Sequence, residues 1–170
     1  MTPKDRLDIR IDAPGWAASF DDIEALCRQA VDAALAVAPA EGRDRPISLL
    51  LTSDATMRRL NASYRGQDKA TNVLSFAADA DDGGVEIQGG EPRLLGDIAI
   101  GLEAVLREAE DEGKSPADHV CHLIVHGTLH LLGYDHGDDT EAHVMERLET
   151  QVLASLGVPD PYEPLMERDR

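Results

Sequence analysis

The sequence predicts a single domain of the α+β class, with a small mixed β-sheet of about four strands and about five helices. Three observations favour this fold. The 170 residues match the usual length of one domain. Strand-like segments come early in the chain, whereas helical periodicity dominates from residue 101 onward. No internal repeat or linker divides the chain, so we expect one domain over residues 1–159 and a loose acidic tail over 160–170.

Four segments have the pattern of strands. Residues 7–12 alternate apolar and charged side chains, as a half-buried strand does. Residues 47–52 form a short apolar run suited to a buried strand, and residues 71–76 and 94–100 are the third and fourth strand candidates. Between the last two, residues 79–92 are rich in Asp, Glu and Gly, which predicts a mobile hairpin loop.

Five segments have helical periodicity, at about residues 20–37, 54–63, 102–112, 116–132 and 139–156. We expect Ser19 to cap the first of them. Ser115 followed by Pro116 has the pattern of a helix start, with serine at the cap and proline in the first turn. Gly133 is well suited to end that helix, because glycine readily adopts the left-handed conformation found there.

The charge balance limits the functions that are available. The chain has 16 basic and 33 acidic residues, a net charge of −17. This excludes a generic nucleic-acid binder covered in Lys and Arg, so any contact with nucleic acid must be local, metal-assisted or helped by a partner. No leader-like or membrane-spanning apolar run is visible, so we expect a cytoplasmic protein without a membrane partner. Cys27 and Cys121 lack paired zinc-binding spacing and are interpreted as buried small hydrophobes.

The histidines carry the strongest chemical signal. All six lie between residues 119 and 143, and several are spaced by four, which places them on one helix face. Gly133 then lets the chain reverse. Three neutral imidazoles with an open fourth position are typical of a catalytic zinc site. We therefore predict that His126, His130 and His136 hold one Zn²⁺ per chain.

Other polar residues near this motif are predicted to support the ligands, to act as a general base or to lie at the surface. His122 is expected to support the ligands rather than to bind the ion. Asp97 and Asp135 are further candidates for groups beside the ligands, and Asp97, Asp135 and His122 are the candidates for a general base. His119 and His143 are expected at the surface.

The same ligand spacing occurs in zinc proteases with the motif His-Glu-x-x-His-x-x-Gly-x-x-His. In those enzymes the Glu after the first His is the general base, whereas this chain has Gly127 there. A glycine cannot take a proton, so the ligand frame is present and the proteolytic base is absent. Met145 is interpreted as a core residue and not as the Met-turn of such proteases. A zinc peptidase or amidase remains the alternative function.

The segment from His122 to His136, His-Leu-Ile-Val-His-Gly-Thr-Leu-His-Leu-Leu-Gly-Tyr-Asp-His, closely resembles the signature of the YbeY family of rRNA-maturation endoribonucleases. Residues 60–66, 71–76 and 95–100 also resemble segments of this family, in the same order. One position departs from the family, because Asn72 stands where Asp is usual. Since Asn keeps one carbonyl acceptor, a structural hydrogen-bonding role survives this change.

The resemblance implies an α+β fold, zinc held by the three histidines and metal-dependent cleavage of single-stranded RNA. It also implies maturation of ribosomal RNA, notably at the 3′ end of the small-subunit RNA, and ribosome quality control. The implied partners are single-stranded rRNA and the ribosome or its small subunit with associated proteins. A non-enzymatic ribosome-assembly factor with a structural zinc is the third function considered, and the sequence does not indicate the oligomeric state.

Arg65 matches the essential basic residue of the family. The residues around it support this role independently, because the window 58–69 has four basic residues and one acid, a net charge of +3 in an acidic chain. The planar guanidinium of arginine binds two phosphate oxygens at once.

Overall fold

The computed structural model describes residues 7–37, 45–78 and 94–162. Its strands are β1 (Leu7–Ile11), β2 (Ile47–Thr52), β3 (Val73–Ala77) and β4 (Gly96–Gly101). They form one sheet in the order β1-β2-β4-β3, in which β3 is antiparallel to β4 and the other pairs are parallel. The predicted four-stranded mixed sheet is confirmed, whereas the predicted hairpin loop at 79–92 lies outside the described residues.

The described residues contain six helices: α1 (Gly15–Ser19), α2 (Ile23–Ala36), α3 (Asp54–Arg65), α4 (Leu102–Glu112), α5 (Pro116–Leu131) and α6 (Asp139–Ser155). The short helix α1 was not predicted, and the prediction that Ser19 caps α2 was wrong. Ser19 is instead the last residue of α1, because the backbone of Phe20 is extended (φ −134°, ψ 138°). Trp16 anchors this helix, since it is fully buried and its Nε1 donates to the carbonyl of Thr52 at 2.9 Å. Asp22 caps α2 instead and accepts from the Ala25 amide at 3.1 Å.

The sheet separates a large core from a small one. Alternate residues of a strand point to opposite faces. Ile98 and Ile100 of β4 belong to the large core, which includes apolar side chains of α2, α5 and α6. Ala99 points to the other face, where Met57 of α3 and Leu74 of β3 complete the small core.

Helix α5 lies at the centre of the large core and positions the histidines. It begins as predicted, with Pro116 in its first turn and the Ser115 side chain accepting from the Asp118 amide at 3.1 Å. It packs on the sheet at Gly127, where an added Cβ would lie 3.2 Å from Cδ1 of Ile98. The absence of a side chain at Gly127 therefore allows the histidine-bearing part of α5 to lie directly on β4.

Several smaller predictions are also confirmed. Cys27 and Cys121 are buried, and so is Met145 on α6. Within the described parts of the chain, no helix is both long and apolar enough to cross a bilayer.

Candidate metal centre

The end of α5 and the turn after it bring three histidines together. His126 and His130 are one helical turn apart, and their ring centroids are separated by 4.7 Å. At Gly133 the backbone takes a φ of +104°, and the Gly133 amide donates to the His130 carbonyl at 3.0 Å. This reversal returns His136, whose ring stacks on that of His126 with the centroids 5.1 Å apart.

The donor atoms of this group suit a metal ion. One ring nitrogen from each of His126, His130 and His136 lies within 4.8 Å of the others, and no other three His, Cys, Asp or Glu side chains in the described ranges converge in this way. His126 and His130 are half-buried and His136 is exposed. Three imidazoles open to solvent on one side form a donor set that fits a transition metal with a free coordination position. The site can therefore hold one metal ion.

The protonation state of His130 also favours metal binding. Its pKa is lowered by burial first and then by the neighbouring His126. A ligating histidine must be neutral. The surroundings of His130 therefore favour the form that binds a metal.

Glu149 also contacts this group, and the sequence did not predict it. Its side chain lies on α6, has no solvent exposure and accepts a short hydrogen bond from Nδ1 of His126. Burial raises the pKa of this carboxyl group, but hydrogen bonds from His126 and Tyr162 outweigh burial and bring the pKa below its usual value. A carboxylate only accepts, so Nδ1 of His126 is the donor and Nε2 is left for an ion.

A sequence signal for Glu149 does exist. It is spaced by four from Met145 and by three and four from Val152 and Leu153, all of which are buried on α6. A charged residue within such an apolar stripe requires a buried partner, because an unpaired charge is costly to bury.

Two of the predicted neighbours of the ligands, His122 and Asp135, lie close to the three-histidine group. His122 lies beside Glu149 and outside the three-histidine group, with its Nε2 3.8 Å from Oε1 of Glu149. Burial lowers the pKa of His122 to about 4. Asp135 lies at the ligand turn, where its Oδ1 is 4.0 Å from Nδ1 of His130 and accepts from the His136 amide at 2.8 Å.

Asp97 is not brought to this group. Its neighbour Ile98 faces α5 at Gly127, so Asp97 points to the opposite face of the sheet. There it lines a cavity of about 480 Å³ together with Arg10 and Tyr64.

The prediction that His119 lies at the surface was wrong, whereas His143 is exposed as predicted. The His119 side chain is 4% exposed, and its Nε2 lies 2.7 Å from Oε1 of Glu108 on α4. The same oxygen accepts from Nδ2 of Asn72 at 2.9 Å. His119 is buried because α4 packs over it and supplies this carboxylate, and the network links the start of β3 to α4 and α5.

Arg65 and His130 line one cavity of about 340 Å³, which also includes Ser75 and Asp135. Arg65 is the last residue of α3, which ends at Gly66 with a φ of +68°. Its Nη2 donates to the Ser75 carbonyl at 3.2 Å. Its guanidinium carbon is 5.7 Å from the centre of the Phe76 ring. Strand β3 thus holds Arg65 at the cavity that His130 lines.

The other two arginines of the basic window, Arg58 and Arg59, have partners within α3 or just after it. Arg58 forms a two-bond ion pair with Asp68, with distances of 2.7 and 3.1 Å. Arg59 donates to the side-chain oxygen of Thr56 at 2.9 Å. Arg65 is thus the arginine of this window that lines the same cavity as His130.

Comparisons with known proteins identify related chains. The family model described as "Endoribonuclease YbeY" matches residues 11–157. A relative of the same description from Rhodospirillum rubrum is 54% identical over 154 residues, which cover 86% of this chain and 76% of that protein. Another from Paramagnetospirillum magneticum is 46% identical over 162 residues, 95% of this chain and 98% of that protein.

A solved structure shares the fold. The solution structure of a Thermotoga maritima protein matches with a TM-score of 0.51 at 20% identity. The match covers 92% of this chain and 99% of that one. At this identity the similarity concerns the fold alone.

Proposed function

Because the chain belongs to the YbeY endoribonuclease family, we propose that it is a zinc-dependent endoribonuclease that cleaves single-stranded RNA. The observation that carries the proposal is the cavity of about 340 Å³ that Arg65 and His130 share. The cavity brings together Arg65, a cation that suits phosphate, and His130, which belongs to the histidine group that can hold a metal ion. The proposed substrate is ribosomal RNA, at the 3′ end of the small-subunit RNA, with a role in ribosome quality control.

His126, His130 and His136 would hold the zinc ion. Once bound, zinc would supply Lewis acidity, which activates water or polarises a phosphoryl oxygen. Within the chain, Glu149 fixes the ring of His126 through Nδ1. Burial lowers the pKa of His130, which favours the neutral ring that a metal ligand requires.

Arg65 would bind the scissile phosphate and stabilise the negative charge that grows on its oxygens in the transition state. Guanidinium has five N–H donors in a planar fork, and the Ser75 carbonyl accepts from one of its nitrogens at 3.2 Å. This contact and the Phe76 ring restrain the side chain before substrate binds. Preorganisation of this kind makes charge stabilisation effective.

An aromatic pair beside Arg65 supports a single-stranded substrate. The side chain of Tyr64 is 69% exposed, and its ring centroid lies 5.2 Å from that of Phe76. Exposed aromatic rings bind unpaired bases by stacking. We propose that Tyr64 stacks with a base next to the phosphate that Arg65 binds.

The acidic remainder of the chain limits where RNA binds. Outside the basic window 58–69 the net charge is −20, against −17 for the whole chain, and this charge repels RNA that lacks further contacts. We therefore propose that productive binding takes place on the ribosome or its small subunit, with help from associated proteins. We also propose that the protein acts in the cytoplasm.

The peptidase alternative conflicts with the position of Gly127. A Cβ at this residue would point at Ile98, 3.2 Å from its Cδ1 and 3.3 Å from its Cγ2. The side chain would therefore enter the packed surface of β4. A glutamate base at this position does not fit the observed packing.

A cleavage assay separates the three functions. Zinc-loaded protein is incubated with a single-stranded RNA, a double-stranded RNA and a set of peptides. We expect cleavage of the single-stranded RNA alone, its loss in His136→Ala and its retention in the exposed control His143→Ala. Peptide cleavage that needs His136 would support the zinc peptidase. Zinc binding without any cleavage would support the assembly factor.

A further inference from the structure

The buried carboxylate of Glu149 links a candidate metal ligand to the C-terminal segment. One of its oxygens, Oε1, accepts from His126, and the other, Oε2, accepts a short hydrogen bond from the hydroxyl of Tyr162. Tyr162 lies beyond residues 11–157, which the family model matches. The contact thus joins the three-histidine group to a residue outside the family match.

Helix α6 and the turn after it hold Tyr162 in place. Gly157 has a φ of +78° and reverses the chain, and the Val158 amide donates to the Leu153 carbonyl at 2.9 Å. Oδ1 of Asp160 accepts from the Tyr162 amide at 2.9 Å and from the Thr150 hydroxyl at 3.4 Å. The segment is thereby tied to the helix that carries Glu149.

His122 lies close enough to compete with His126 for the carboxylate of Glu149. Nε2 of His122 lies 3.8 Å from Oε1 of Glu149 and 3.5 Å from the hydroxyl of Tyr162. The ring of Tyr162 also packs edge to face on His122, with centroids 5.7 Å apart. Tyr162 therefore occupies one carboxylate oxygen and contacts the competing histidine as well.

We propose that Tyr162 is a positioning residue of the metal centre. By donating to Oε2, it fixes the orientation in which Oε1 accepts from His126, and His126 then presents Nε2 to the ion. The inference rests on the zinc site of the proposed function and adds the C-terminal segment to it. Without the hydroxyl, the carboxylate is free to turn toward His122, and His126 loses its fixed orientation.

The expected effect is on metal affinity. Removing a group that orients a metal ligand typically weakens metal binding by about 10- to 100-fold. Tyr162 acts one step further from the ion than Glu149. We therefore expect zinc affinity to fall about 10-fold in Tyr162→Phe and by up to about 100-fold in Glu149→Gln.

The test measures zinc affinity of the metal-stripped full chain by competition with a chromogenic chelator. The variants are Tyr162→Phe, Glu149→Gln and their combination, with the exposed His143→Ala on the same helix as the control. If Tyr162 acts through Glu149, the double variant is no weaker than Glu149→Gln alone. The control binds zinc as the wild type does.

A second readout separates positioning from folding. The visible absorption of the Co²⁺-loaded protein reports the ligand geometry, so Tyr162→Phe is expected to change it. Thermal unfolding of the metal-free protein is expected to stay cooperative with a lowered midpoint, because Phe retains the ring packed on His122 while the buried Glu149 carboxylate loses one hydrogen bond but keeps the one from His126.

Two results would overturn the inference. One is a Tyr162→Phe protein with wild-type zinc affinity and an unchanged cobalt spectrum, whatever its unfolding temperature. The other is a loss of affinity that is equally large in the Glu149→Gln background. Failure of the wild-type chain to bind zinc would instead contradict the proposed zinc site.

Discussion

Arg65 at the end of α3 and His130 near the end of α5 line the same cavity of about 340 Å³. The two residues come from separate parts of the chain, and β3 lies between their helices in the sequence. The cavity therefore brings together a guanidinium, which suits a phosphate group, and an imidazole, which suits a metal ion. The proposed mechanism assigns phosphate binding and metal binding to different residues, so they are separable by mutation.

Arg65→Ala is expected to leave the fold and the zinc content unchanged. Cleavage of single-stranded RNA falls by about 10²-fold or more, the typical effect of losing one preorganised group that stabilises charge. Arg65→Lys recovers little, because an ammonium keeps the charge but lacks the bidentate fork. These effects are measured as single-turnover rates with elemental analysis of the same samples.

Two results with the Arg65 variants would exclude the proposed role of Arg65 in binding the scissile phosphate. A normal cleavage rate in Arg65→Ala would remove Arg65 from the mechanism. Loss of zinc or of the fold would show that its contacts with Ser75 and Phe76 are structural.

Tyr64→Ala is expected to weaken RNA binding, because stacking of one base on an aromatic ring contributes about 1–3 kcal/mol. An RNA carrying 2-aminopurine reports the contact, since its fluorescence is quenched on stacking. The wild type and Tyr64→Phe quench one labelled position, and Tyr64→Ala does not. Equal quenching by Tyr64→Ala would show that the base stacks elsewhere or remains unstacked.

Asn72→Asp, which introduces the residue usual in the family, is expected to destabilise this chain. Asn72 donates to Oε1 of Glu108 at 2.9 Å, and an aspartate there would face that carboxylate without a donor. The expected cost is about 1 kcal/mol, because the Glu108 side chain is 38% exposed. Urea denaturation measures it, and Glu108→Gln in the same chain restores the stability. An Asn72→Asp protein as stable as the wild type would contradict this explanation.

The low pKa of His122 predicts a pH dependence of stability for the metal-free protein. Burial lowers this pKa from 6.5 to about 4. The unfolded chain binds the proton as the pH falls through 6.5, whereas the folded chain binds it only near pH 4. The free energy of unfolding therefore decreases as the pH falls across this window and levels off below it, by at most about 3 kcal/mol.

The variant His122→Phe isolates this contribution. Carboxylates also titrate in the same range, so the quantity of interest is the difference between the two proteins. We expect the variant to lose less stability than the wild type between pH 6.5 and 4 in urea titrations. Identical pH profiles would show that His122 does not produce the effect.

Local sequence patterns were enough to predict the sheet and the three-histidine group. The alternation in β1 and the Ser115 cap of α5 depend on neighbouring residues, and the return of His136 depends on one glycine turn. Glu149 and Tyr162 were missed as partners because their contacts depend on how α6 packs against α5. Likewise, the burial of His119 depends on α4, and the face on which Asp97 lies depends on the packing of Ile98 on Gly127.

The central claim is that His126, His130 and His136 hold the one metal ion that RNA cleavage requires. Stepwise addition of Zn²⁺ to metal-free protein, with the cleavage rate of a single-stranded RNA measured at each step, tests it most directly. We expect no cleavage without metal, a rate that rises until one equivalent of zinc is bound per chain, and no such rise in His136→Ala. Full cleavage by metal-free protein, or an unchanged titration in His136→Ala, would contradict it.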